Sequence, residues 1–174
     1  ARTGPGPTLD GHPKFDLMKL DREYFARLRA RVIAARDRGI YVSVMLFEGW
    51  GMYHANRRRS ASMGWAWRSH PFHPENNING IDGGGDVARG GPHRLGNEAV
   101  NAAQAAYIRR VVDTVNDLDN VLYEVINEGG NKDWDWWVAK IVQDYERTKP
   151  KQHPVGITGH GAENLADMLA SPAD

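Results

Sequence analysis

Asn127 and Glu128 stand side by side where an apolar run, Val121 to Ile126, gives way to Gly129 and Gly130. A carboxylic acid at the mouth of a buried strand, in partly apolar surroundings, holds its proton more tightly than in water and can act as a general acid. An amide beside it can hydrogen-bond a substrate hydroxyl. The same pair can also do nothing more than form a polar turn that caps a strand. Strand alternation places Leu122, Glu124, Ile126 and Glu128 on one side. Glu124 then lies inside the strand, where a charge is costly unless paired, so a cationic or hydrogen-bonding partner is expected for it.

Two further apolar runs end on polar groups. Ile40 to Phe47 runs into Glu48-Gly49-Trp50, and His153 to Thr158 runs into Gly159-His160. Between the first two strands lies a long polar, Gly-rich region, residues 50–96. Connections of that length are usually functional or disordered. It contains Trp50, Trp65, Trp67, His70, Phe72, His73, Asn76, Asn77 and Asn79. Rings can stack on the CH faces of a sugar, and amides, imidazoles and carboxylates can take its hydroxyls. This set, with Glu48 and His160, is the candidate substrate-binding surface. Loop packing is the alternative for each member. His70-x-x-His73 and Asp82-Gly-Gly-Gly-Asp86 have metal-binding residue types. Neither has the ligand number or spacing that fixes a site, so no metal and no cofactor are assigned.

The elements that position these groups follow from periodicity. Asp21 can cap a helix from Arg22, with Phe25, Leu28, Val32 and Ala35 on one face and Gly39 at its end. A second helix over about 97–118 places Tyr107, Val111, Val115 and Leu118 together. A third, over 133–149, is expected to turn Trp137, Ile141, Val142 and Tyr145 inward before Pro150. Residues 1–20 read as an irregular arm. Helices alternating with short apolar strands imply an α/β fold with a parallel sheet. A doubly wound sheet and part of a (β/α)₈ barrel both fit, and both gather chemistry at the carboxyl ends of the strands.

Composition narrows the function classes. The chain has 174 residues, 22 Lys plus Arg against 22 Asp plus Glu, and no Cys. A zero net charge argues against a nucleic-acid binder, and Arg57-Arg58-Arg59 is read as a solvated loop. No apolar run is long enough for a membrane span. Without Cys there are no disulfides, and secreted, periplasmic and intracellular locations all stay open.

Four segments, IYVSVMLFEGW, HPFHPENNINGID, NVLYEVINEGG and HPVGITG, together resemble bacterial glycoside hydrolases of the clan A type, which includes the family 5 cellulases. The likeness runs from about residue 16 to residue 174. It implies a (β/α)₈ barrel in which YE-x-x-NE is the fourth strand. Glu128 would then be the general acid/base and Asn127 the contact to the sugar 2-hydroxyl. Such enzymes retain anomeric configuration and use a second carboxylate about 5–5.5 Å away, carried at the end of the seventh strand. By this register the chain covers strands three to five, whereas a full barrel needs ~250 residues. The expectation is a single partial barrel over residues 1–174 without the nucleophile strand, prone to self-association through its open edges. The alternative is a partial barrel that binds carbohydrate, or assembles, without hydrolysis. Glu48 is read as a substrate contact or loop brace in preference to a replacement nucleophile.

Overall fold

The structure is a computed structural model and describes residues 1–52, 65–84, 91–158 and 165–174. It is an α/β fold whose larger sheet has three parallel strands in the order β3-β4-β5. The N-terminal arm forms a small antiparallel pair, β1 (Gly4–Pro7) and β2 (Pro13–Lys14). Then come α1 (Arg22–Arg36), β3 (Val42–Glu48), the short α2 (Trp65–Arg68), α3 (Glu98–Val115), β4 (Val121–Asn127), α4 (Lys132–Glu146), β5 (Val155–Gly156) and α5 (Leu165–Leu169).

Local chemistry sets the helix starts. Asp21 accepts hydrogen bonds from the amides of Glu23 and Tyr24, Asn97 from Val100, and Asn131 from Trp134. Each satisfies amide groups that a helix N-terminus leaves open. Packing selects the buried faces. Ile108, Val111, Val112 and Val115 of α3 are fully buried against the sheet residues Val121, Tyr123 and Val125 and the α1 residues Phe25 and Val32.

The inward face of α4 differs from the expectation. Trp134, Val138, Ala139 and Val142 are the buried set, while Trp137, Ile141 and Tyr145 are half-buried at its margin. Both sets have helical spacing. The buried one follows from Trp134 Nε1, which donates to the buried Gln104 Oε1 of α3 at 3.1 Å and fixes the rotation of the helix. The third strand is also shorter than the run His153 to Thr158, because His153 is drawn into a buried side-chain network instead.

The helices cover one side of the sheet. On the other side Ser43 and Met45 are exposed, and Leu122 and Glu124 are half-buried. Opposite the sheet edge, the arm is laced to the segment after α2. Phe15 N donates to Asn76 O at 2.8 Å, and Ile78 N donates to Phe15 O at 3.0 Å.

Candidate functional site

β3 and β4 end together. Glu48 and Asn127 are register partners on the last rung of the parallel ladder. Adjacent strands lie about 4.8 Å apart, so these side chains emerge next to each other. Asn127 Nδ2 donates to Glu48 Oε1 at 3.4 Å. Gly51 N donates to Glu48 Oε2 at 3.1 Å, so the carboxylate also caps the helical turn that opens at Trp50. Glu48 therefore braces the strand end and orients the Asn127 amide.

Glu128 follows at once, exposed, with φ +47°. It is the only non-glycine residue with positive φ among the described residues. A left-handed conformation costs an L-residue roughly 1–2 kcal/mol. The extended strand stops at Asn127. The alternation that puts Glu128 on the face of Glu124 thus ends one residue early, and the backbone turn now sets where Glu128 points. The glycines explain how the turn fits. Gly49 N donates to Asn127 O at 2.8 Å, and a Cβ on Gly49 would lie 2.5 Å from Gly129 Cα and 2.8 Å from Glu128 O. The two strand exits cross backbone to backbone, which only glycine allows.

Glu124 has its partner. Thr158 Oγ1, beyond β5, donates to Glu124 Oε1 at 2.8 Å. This hydrogen bond joins the middle of β4 to the segment after β5 across the open face.

The long connection divides into braces and rings. Asn76 and Asn77 are buried, and their amides are engaged by the backbone. Asn76 Nδ2 donates to the carbonyls of Arg68 and His70, and its Oδ1 accepts from Leu9 N. Asn77 Nδ2 donates to the carbonyls of Pro71, His73 and Ile81, and its Oδ1 accepts from Asn79 N and Ile81 N. Asn79 Oδ1 takes Leu17 N at 2.8 Å. These amides hold the loop and the arm together. The rings pack on one another. Trp67 stacks on His70 with centroids 5.5 Å apart and tilts against His73 at 5.2 Å, and Phe72 lies 5.6 Å from His70. Trp50 is exposed beside Glu48. The side chain of Trp65, all of His160, the Arg57–Arg59 cluster and Asp86 lie outside the described residues.

His70 and His73 do not point one ligand pair at a metal. His70 Nδ1 accepts from Phe72 N, and His73 Nδ1 accepts from Glu75 N. Among the described residues no group of three or more His, Asp or Glu side chains is placed to hold a metal ion.

Three residues near the site are not singled out by sequence. His93 is 3% exposed and packs between Phe47 (5.9 Å) and Trp134 (5.1 Å). Burial lowers its pKa to about 4. Gln104 ties this layer to α4 through Trp134. Asp135, one turn into α4, lies against the backbone of Gly130, where a Cβ would fall 2.1 Å from its Oδ1. Desolvation raises the Asp135 pKa to about 7. The only sequence signals are Gly91-Pro92 before His93 and Asp135 in the first turn of a helix, and both are common surface patterns.

No family model, curated protein or solved structure matches the chain.

Proposed function

We propose that this chain is the acid/base portion of a glycoside hydrolase, its sheet corresponding to strands three to five of a (β/α)₈ barrel. The observation that carries the reading is the left-handed Glu128 at the carboxyl end of β4, directly after an Asn127 oriented by Glu48. Backbone strain at an ionisable residue on a strand end is what functional sites retain and stable turns lose. In this reading Glu128 protonates the leaving oxygen and later takes a proton from water. Asn127, with its amide group held by Glu48, turns Oδ1 to a sugar hydroxyl. Exposed Trp50 offers a stacking ring beside them. The nucleophile belongs to a later strand than β5.

One observation favours a second reading, carbohydrate binding without hydrolysis. Glu48, the carboxylate on the neighbouring strand end, is engaged by Asn127 and by Gly51 N, which suits a brace better than a nucleophile. Measuring both binding and turnover separates the two. A panel of oligosaccharides is titrated by calorimetry, and the matching aryl glycosides are assayed for hydrolysis. Binding with turnover supports the hydrolase, and binding alone supports the second reading. No binding and no turnover across the panel removes both. The exposed open face of β3 and β4 also fits self-association, which light scattering over a concentration series measures.

A further inference from the structure

The two lateral edges of the larger sheet differ. Tyr123 N donates to Pro154 O, so the backbone of β5 faces β4 at Pro154 and Gly156 and faces away at Val155. Those outward groups are already taken. Asp174 N donates to Val155 O at 3.0 Å, and Val155 N donates to Asp174 Oδ2 at 3.0 Å. The β5 edge is closed by the chain itself.

The β3 edge is open. Val42 N donates to Asn120 O at 2.8 Å, which turns the backbone of Val42, Val44 and Leu46 toward β4 and that of Ser43, Met45 and Phe47 outward. Among the described residues, no segment is hydrogen-bonded to β3 on that outward side. Exposed edges are normally blunted by a charge, a proline or a bulge. Residues 40–47, IYVSVMLF, contain no charge and no proline, and the β3–β4 register runs without a shift. Exposed apolar side chains, Ile40, Tyr41 and Met45, lie along this edge instead.

We propose that β3 pairs antiparallel with β3 of a second copy about a two-fold axis at Met45, joining the two sheets into one. A second copy suits this edge because the register is self-complementary. Met45 meets Met45 of the partner subunit, and Ser43 meets Phe47 of the partner subunit, so each outward N–H faces an outward C=O. Glu48 falls opposite Val42 of the partner subunit, so no like charges oppose each other. Ile40 and Tyr41 of the partner subunit then run past Glu48 toward a mainly apolar cavity of about 530 Å³, which Leu46 and Phe47 line together with Leu17, Leu20 and Phe72. The Ala1 ammonium on its wall is already bonded to the carbonyls of Asp16 and Lys19. The pairing rests on the sheet and holds whether or not the chain is a hydrolase.

The chain has no Cys, so one introduced Cys reports the axis. In this register the two copies of Met45→Cys have Cα atoms about 5.5 Å apart, inside the disulfide range of roughly 4.4–6.8 Å. The two copies of Ser43→Cys stay roughly 14 Å apart along the strands. Under a mild oxidant, Met45→Cys is expected to give a covalent dimer on a non-reducing gel and Ser43→Cys a single chain. By sedimentation velocity the wild type should be a dimer at micromolar concentration. Met45→Lys, which sets like charges face to face on the axis, should weaken association by at least about tenfold. Leu169→Lys, on the exposed end of α5, should leave it unchanged. Met45 is exposed, so these variants spare the core. A monomeric wild type, a dimer that Met45→Cys does not crosslink or that Ser43→Cys crosslinks equally, or an unweakened Met45→Lys dimer overturns the proposal. Glycoside turnover by a monomer removes the pairing and leaves the hydrolase reading in place.

Discussion

The two ends of the sheet use the same residue types in opposite ways. At the end where the strands begin, Glu146 is 1% exposed and every oxygen has a partner. Oε1 accepts from Asn116 Nδ2 (2.7 Å), the Tyr123 hydroxyl (3.1 Å) and His153 Nδ1 (2.8 Å), and Oε2 accepts from His153 N. His153 Nε2 faces the Leu118 carbonyl at 2.8 Å. At the end where the strands finish, Glu48, Asn127 and Glu128 form one long hydrogen bond between them, a left-handed turn and an exposed carboxylate. A carboxylate, an amide and a strand terminus are common to both ends. One set is closed on itself and holds α3, α4 and the entry to β5 together. The other is held in place but left facing outward. In open parallel α/β sheets, ligands bind at the carboxyl ends of the strands.

This contrast can be broken by mutation. The largest effect is expected from Glu146→Ala. It strips the acceptors from His153, Asn116 and Tyr123 at once, and losing one side of a buried pair costs about 3–5 kcal/mol. Urea unfolding would read this as a lower midpoint. A loss under ~1 kcal/mol would mean that the closed end is not the stabilising one.

Acid should act through the buried site layer. Folded His70 and His93 have pKa values of about 3 and 4, both below the ordinary 6.5, and Asp135 is raised to about 7 from 3.8. Between about pH 4 and 6.5, unfolding takes up one proton at each histidine and releases one at Asp135. The unfolded chain thus binds one more proton, and stability falls on acidification by about 1.4 kcal/mol per pH unit. His93→Gln should flatten that slope. A wild-type stability that rises on acidification through this window would contradict the assignment.

The smallest effect has the opposite sign. Glu128→Gly relieves the left-handed strain and should stabilise the fold by about 1 kcal/mol. Destabilisation of that size would mean that Glu128 is a structural turn residue. A gain in stability with a loss of ligand binding or turnover would sharpen the contrast between the two ends.

Much of the fold was legible in the sequence, though not the closed network of Glu146 and His153. The alternation of helices and apolar runs, the Asp21 cap and the need of Glu124 for a partner follow from local chemistry, and the structure has each of them. The site was legible only as residue types. Asn76 and Asn77 look like sugar ligands in sequence, yet their amides hold backbone atoms up to 67 residues away, as in the Leu9–Asn76 bond. On α4 the expected Val142 is buried, but Trp134 and Trp137 both fit helical spacing, and only the Gln104 contact from another helix chooses between them. The turn at Glu128 depends on Gly49 of the neighbouring strand. Partners that far apart leave no periodic trace in the sequence.

On the proposed hydrolase reading, the outward-facing carboxylate of Glu128 moves a proton. The most direct test is the hydrolysis rate of Glu128→Gln against wild type on a glycoside with a poor leaving group. The substitution keeps shape and hydrogen bonding and removes the transferable proton. General acid–base catalysis contributes about 10²–10⁴-fold, so a rate loss of that order is expected, with a smaller loss on aryl glycosides that depart without protonation. An unchanged rate on the poor leaving group would contradict it.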